Sequence, residues 1–201
     1  MSLPTVRPVR PGDAAQLAVT MARAFDDYAY TVWTVQAEGR FDRLRRLYSL
    51  FVAEFAAGHG GVWVTGDCAA VASWLPPGVT GPDEAFQERH GAAIAELMGD
   101  RLPFAAAAGE ITDQYRPTEP HWYLASMATH PDWQNRGLGA SVLAPALRRC
   151  DLDGVPAFTE TASEANVRFY RRAGFEVVAE NELPDGGPHL WFLRRPPGAA
   201  G

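Results

Sequence analysis

The feature that most constrains this chain is a junction in its second half. An apolar run, Trp122 to Thr129, passes through His130-Pro131-Asp132-Trp133 and Gln134-Asn135-Arg136-Gly137-Leu138-Gly139-Ala140. It then enters a helical pattern carried by Leu138, Val142, Leu143, Ala146, Leu147 and Cys150. A strand that hands over to a helix through such a loop leaves the first N–H groups of that helix unpaired, at the positive end of its dipole. Gly137 and Gly139 add no Cβ, so the loop can close on a diphosphate. The same glycines also suit a plain tight turn, and spacing alone does not separate the two readings. Other phosphate motifs are excluded: a Walker loop needs a lysine and all 18 basic residues are arginine, while a dinucleotide fingerprint wants a third glycine where Val142 stands. Pro145 removes a backbone donor inside the helix and predicts a kink.

Around this junction the pattern is mixed α/β. Val6 to Arg10 reads as a strand, followed by a helix that Asp13 can cap, with Leu17, Met21, Ala24 and Phe25 at helical spacing. A second helical pattern runs from Phe41 to Phe55, and Val62–Thr65 with Ala69–Leu75 reads as a hairpin. Residues 82–115 form a helical insertion, one helix from Asp83 and one over Phe104 to Tyr115. After the junction come a strand (Pro156–Thr161), a helix (Ser163–Ala173, ended by Gly174) and two strands (Phe175–Ala179 and Leu190–Leu193). Hairpins at both ends with a βαβα block between them predict one α/β domain, residues 1–196, built on a mixed sheet, with 197–201 as a disordered tail.

Composition narrows the function. With 201 residues and 47% hydrophobic content the chain can bury one sizeable core, and 18 basic against 24 acidic residues, net charge −6, argue against nucleic-acid binding or docking on an anionic membrane. Cys68 and Cys150 stand apart with no metal-ligand spacing, so reduced, buried thiols and no metal are expected. No apolar stretch approaches the ~18 residues of a membrane span, and no signal-like head is visible; a cytoplasmic protein is expected.

The junction then acquires a more specific meaning. Gln134-Asn135-Arg136-Gly137-Leu138-Gly139 resembles the Gln/Arg-x-x-Gly-x-Gly/Ala acetyl-CoA motif of the Gcn5-related N-acetyltransferase (GNAT) superfamily, and Asn166 followed by Tyr170-Arg171-Arg172-Ala173-Gly174-Phe175 resembles its Asn…Tyr-x-x-x-Gly-Phe segment. Ala24-Phe25, Asp27-Tyr28, Glu119-Pro120, Val155-Pro156-Ala157-Phe158 and Glu160-Thr161 extend the likeness, which is greatest to the branch that acetylates puromycin-like antibiotics. The resemblance implies a largely antiparallel mixed sheet, flanked by helices, whose central strands splay to admit the pantetheine arm of acetyl-CoA. It implies cofactor contacts from Met127, Ala128, Thr129, Gln134, Asn135, Arg136, Gly137, Leu138, Gly139, Ala140 and Asn166. His130 and the bulky Trp133 depart from the expected loop.

Acetyl transfer to an amine requires an acceptor for the amine proton, stabilisation of the oxyanion and a proton for the departing thiolate. The resemblance assigns the last task to Tyr170, whose spacing alone favours a packed tyrosine on an amphipathic helix. Glu160 is the candidate base, reached directly or through water. Asp26, Asp27, Tyr28, Tyr30 and Trp33, in the connection after the first helix, are candidates for the acceptor pocket, because an aromatic and acidic mixture suits a cationic amine. The expected reaction is acetylation of a small-molecule primary amine. Acetylation of protein N-termini or lysines, and a catalytically silent acyl-CoA sensor, are the alternatives; a homodimer is compatible with all three.

Overall fold

The computed structural model describes residues 5–198; the end of the expected tail, 199–201, and the first four residues lie outside that range. The strands are β1 (Val6–Pro8), β2 (Val62–Thr65), β3 (Ala70–Leu75), β4 (Trp122–Thr129), β5 (Ala157–Thr161), β6 (Glu176–Glu182) and β7 (His189–Arg195). The helices are α1 (Ala14–Phe25), α2 (Ala29–Thr34), α3 (Arg40–Tyr48), α4 (Glu84–Met98), α5 (Leu102–Tyr115), α6 (Leu138–Asp153) and α7 (Glu164–Arg172). All seven strands form one sheet in the order β1-β2-β3-β4-β5-β7-β6, and β4–β5 is its parallel pair. This is the mixed, mostly antiparallel sheet the sequence predicts.

Strand periodicity sorts the core into layers. Along β3, Val71 and Leu75 join a cluster with Leu17 and Met21 of α1 and Leu44 and Leu47 of α3, whereas Ala70, Ala72 and Trp74 join Val142, Leu143 and Ala146 of α6. The sheet is therefore covered on both faces. A third cluster unites Trp33 of α2, Ala108 of α5 and Phe158, Leu190 and Phe192 of the sheet, and it seats the insertion.

Several local expectations need correction. The Phe41–Phe55 pattern is not one α-helix: after α3 it continues as a π-helical stretch, Ser49–Ala56. Asp13 makes no side-chain cap to α1. Its carboxylate is drawn back by Arg7 at 2.6 and 2.9 Å and by the Arg10 N–H at 2.7 Å, around a 3₁₀ turn at Pro11–Asp13. The aromatic stretch at Tyr28 contains a short helix, α2, too brief to show periodicity. At the other end Gly198 is tied down, its N–H donating to Asp151 Oδ1 at 2.5 Å.

Two irregularities in β4 place the site. Against β3, Ser73 pairs with Ser126 but Trp74 pairs with Leu124, so Ala125 is an extra residue, a β-bulge. The bulge swaps the faces: Trp122 and Leu124 point to the α6 side, and beyond the bulge Met127 does. Against β5, registered pairing stops at Trp122–Ala157 and Tyr123–Phe158, after which the two strands part. The Thr159 hydroxyl donates to the Leu124 carbonyl at 2.9 Å where the ladder ends, so the divergence begins on a satisfied acceptor.

Candidate active site

A cavity of about 660 Å³ opens through this divergence and is lined from both faces of the sheet. β4 contributes Tyr123 to Met127, β5 contributes Thr159, Glu160 and Thr161, and α7 contributes Asn166 and Tyr170. Phe25, Tyr28, Tyr30, Tyr48 and Phe51 line it from the first half of the chain. Ala125 is exposed although it lies in the middle of a central strand.

Glu160 is the chemical centre of the cavity. Its Oε1 accepts a 2.7 Å hydrogen bond from the Tyr123 hydroxyl, while its Oε2 is buried without a protein partner. Burial pushes the carboxyl up to about 7, opposed by the Tyr123 bond and by the nearby Arg116 guanidinium. A carboxylate titrating near neutrality, with one oxygen held and the other free, is suited to accept an amine proton. Tyr170, also buried in the cavity wall, has its phenol raised above the usual tyrosine range, chiefly by burial. It therefore stays protonated at neutral pH and can donate.

A hydrogen-bonded cluster fixes the far wall. Tyr28 accepts from the Ala162 N–H at 2.6 Å and shares a 2.9 Å bond with the Thr161 hydroxyl, to which the Asn166 side-chain amide donates at 3.1 Å. Asn166 thus reaches back to β5 rather than completing a helix cap, and Ser163 makes no side-chain cap either. One residue before α2 and two elements of the second half are pinned together, which orients the face of α7 that carries Tyr170.

The loop before α6 matches its expected geometry. Asn135 at φ 59° and Gly137 at φ 79° turn the chain tightly into the helix, and Gly137 starts it without a side-chain cap. The first helical bond runs from Ser141 N–H to the Gly137 carbonyl at 3.1 Å, so the N–H groups of Leu138, Gly139 and Ala140 have no helical acceptor. Gln134 is held to the Thr129 carbonyl at 3.3 Å, and the Arg136 guanidinium stacks 4.7 Å from the Trp133 ring centroid. The bulky Trp133 is thus the platform for the loop arginine.

Not every candidate converges on the cavity. Tyr170, Glu160, Asn166, Met127, Tyr28 and Tyr30 line it; Ala128 and Thr129 continue the same strand toward the loop, and Ala128 turns its side chain into the α1 core. Asp26, Asp27 and Trp33 do not line it. The Asp26 carbonyl accepts from Arg40 at 3.4 Å, and Trp33 packs on Phe104 at 5.1 Å in the cluster beneath α5. Tyr30 and Trp33 share a face of α2 and pack in the same cluster, but Tyr30 also reaches the cavity while Trp33 is buried beneath α5. Sequence reasoning missed Tyr123, Thr159, Thr161, Tyr48 and Arg116. Tyr123 lay inside the predicted central strand, but only the β4–β5 pairing shows that it meets Glu160. Among the described residues no cluster of three His, Cys, Asp or Glu side chains could hold a metal ion, and no helix is long and apolar enough to cross a membrane.

A bulged strand that parts from its parallel neighbour, an uncapped helix head beside it, and a tyrosine and a carboxyl facing the gap are the features that define the site. Residues 44–175 match the acetyltransferase (GNAT) family, and the chain belongs to that family, whose co-substrate is acetyl-CoA. It is similar to a peptidyl-lysine N-acetyltransferase, YjaB, of Salmonella typhimurium, 30% identical over 105 residues that cover 48% of this chain and 68% of that protein. It is also 30% identical over 108 residues to an acetyltransferase of Stachybotrys chartarum, covering 54% of this chain and 46% of the fungal protein, so the match spans less than half of that relative. A solved structure from Corynebacterium glutamicum, described as histone acetyltransferase HPA2 and related acetyltransferase, has the same fold. Its TM-score is 0.76 at 24% identity, over 99% of both chains.

Proposed function

We propose that this protein transfers the acetyl group of acetyl-CoA to the primary amine of a small molecule by direct attack, with Glu160 as base and Tyr170 as acid. The observation that carries the reading is the unpartnered Glu160 Oε2 in an aromatic cavity that also contains the Tyr170 phenol. Among the described lining residues the carboxyl groups are Glu160 and Asp113, and no arginine or histidine joins them. An amine of positive charge with an aromatic or apolar body complements such walls; an acceptor that brings its own carboxylate does not.

The residues fit the coenzyme. The free N–H groups at the head of α6 suit its diphosphate, and the β4 segment Ala125 to Met127, which lines the cavity, suits its amide-bearing arm and acyl carbonyl. Bound there, acetyl-CoA supplies an activated acyl group with a thiolate as leaving group. Glu160 accepts a proton from the attacking amine, directly or through water. Backbone N–H groups beyond the β4 bulge face the charge that develops on the acyl oxygen, and Tyr170 gives its proton to the departing sulfur. The Glu160 oxygen already held by Tyr123 keeps the carboxylate oriented while its other oxygen works.

The puromycin-like acceptor implied by the sequence remains the first candidate, since an α-amino group is neutral in about a tenth of molecules at pH 7 and asks little of the base. The free, buried Cys68 and Cys150 support a reducing compartment and hence the cytoplasm. The test is a screen of thiol release from acetyl-CoA over small amines, puromycin included, alongside lysine peptides. Turnover concentrated on compact aromatic amines supports the reading. Turnover on peptides alone overturns it in favour of protein acetylation.

A further inference from the structure

We propose that Arg116, at the end of the inserted helices, is a positioning residue for the base: through Tyr123 it keeps Glu160 in its proton-accepting form. The proposal rests on the reading of Glu160 as the base, and it assigns the insertion a part in the chemistry beyond enclosing the cavity.

The geometry is a three-residue stack. Arg116 places its guanidinium carbon 4.1 Å from the centroid of the Tyr123 ring, and the Tyr123 hydroxyl donates to Glu160 Oε1 at 2.7 Å. A cation over the ring face draws electron density from the phenol and strengthens its O–H as a donor to a carboxylate. Because Oε1 is occupied in this way, Oε2 alone is left for the substrate.

Arg116 is itself held. Its side chain is 12% exposed, its Nε donates to Asp113 Oδ1 at 3.2 Å, and its backbone N–H donates to the Thr112 carbonyl at 3.0 Å. Its Nη1 is buried with no partner. Leaving one donor of a guanidinium unsatisfied is unfavourable, and an apolar side chain would pack on the tyrosine ring without that penalty. What an apolar side chain cannot supply is charge beside a buried carboxyl.

The groups acting on Glu160 come from four directions. Tyr123 faces it from β4, Tyr28 and Tyr30 from the α1–α2 segment, Tyr170 from α7, and Arg116 with Asp113 from the end of α5. The four phenols are all raised and stay neutral at physiological pH. Asp113 opposes ionisation but is paired to Arg116. Arg116 is the cation among the described groups acting on Glu160, and its removal leaves only the weakened Tyr123 bond and a backbone hydrogen bond to oppose burial and Asp113.

The experiment follows the Glu160 carboxyl in the free protein by ¹³C-carboxyl NMR, the signal assigned by its loss in Glu160→Gln. Arg116→Met is expected to raise the midpoint by about one pH unit, and Arg116→Lys, which keeps charge without the flat stack, by less than half as much. On the best amine from the thiol-release screen, the acidic limb of kcat/KM shifts with it while the plateau above holds. A midpoint unchanged in a folded Arg116→Met protein overturns the proposal; should that variant not fold, Arg116→Gln is read the same way. If Glu160→Gln keeps the wild-type acidic limb, the reading of Glu160 as base fails. That outcome is distinct from an Arg116 variant that leaves the Glu160 midpoint in place.

Discussion

Replacing Tyr170 by phenylalanine removes one hydroxyl and leaves the ring. That ring is buried among Val167, Phe169 and Phe175 with 5% of its surface exposed, so the variant should fold and melt within a few degrees of the parent. The chemistry should not survive as well. A thiol of pKa ~8.5 leaves as thiolate, and even an unperturbed phenol at ~10 donates to it uphill by about 2 kcal/mol. Burial raises the Tyr170 phenol further, but the same burial destabilises an unprotonated sulfur beside it, so the two effects oppose each other. The full general-acid contribution then falls on this hydroxyl, and its loss should lower kcat by about 10²-fold or more, near 2.7 kcal/mol. The KM for acetyl-CoA should change little, because the hydroxyl acts on the leaving group. Initial rates by thiol capture from pH 6 to pH 9, on the best amine from the screen, supply the measurement. A kcat within threefold of wild type across that range would refute the assignment.

Glu160 should give the rate an acidic limb centred near pH 7, the value to which burial raises it, and Glu160→Gln should abolish that limb together with most of the activity. Its folded pKa lies above the ordinary carboxylate value, so its contribution to stability is complete below about pH 4.5 and is lost as pH rises through about 7. Chemical denaturation should therefore show Glu160→Gln gaining on wild type over that window, by about 3 kcal/mol at most. Asp13 has the opposite sign: the Arg7 pair lowers it to about 2, so its contribution is present above about pH 3.8 and is lost as pH falls through about 2. Asp13→Asn should cost about 1 kcal/mol at pH 7, a fall of roughly 2–4 °C in Tm, and almost nothing below pH 2. Gly61→Ala would drive a Cβ into the Trp74 carbonyl, whereas Gly58→Ala meets nothing within 4 Å. The first should lose more than about 2 kcal/mol in urea melts and the second under about 1.

Most of the architecture was legible because it rests on periodicity and punctuation. The β4 run, the Gly137–Gly139 loop and the amphipathic pattern of α6 are local signals, and all three occupy the expected places. Tyr28, Glu160, Asn166 and Tyr170, named as candidates in the sequence, line one cavity, Asn166 and Tyr170 having been named through a resemblance that spacing alone would not have supplied. What escaped depends on non-local geometry. The bulge at Ala125 leaves no mark in an apolar run, yet it swaps the faces of β4. Tyr123 meets Glu160 because β4 and β5, 28 residues apart at their nearest ends, pair for two residues and then part. Arg116 acts through an aromatic ring on another element, and no pattern around Thr112 to Arg116 announces it. Trp33 and Asp26 show the converse, since composition placed them near an amine while Trp33 packs in the core beneath α5 and Asp26, at the end of α1, does not line the cavity.

A crystal structure with acetyl-CoA and a slow amine analogue tests the central claim most directly. The account predicts the diphosphate on the Leu138, Gly139 and Ala140 amides, the arm between the parted ends of β4 and β5, and the sulfur within hydrogen-bonding reach of the Tyr170 hydroxyl. It further predicts the amine nitrogen beside Glu160 Oε2. Coenzyme bound outside that gap, or a sulfur on the far side of β4 from Tyr170, would contradict it.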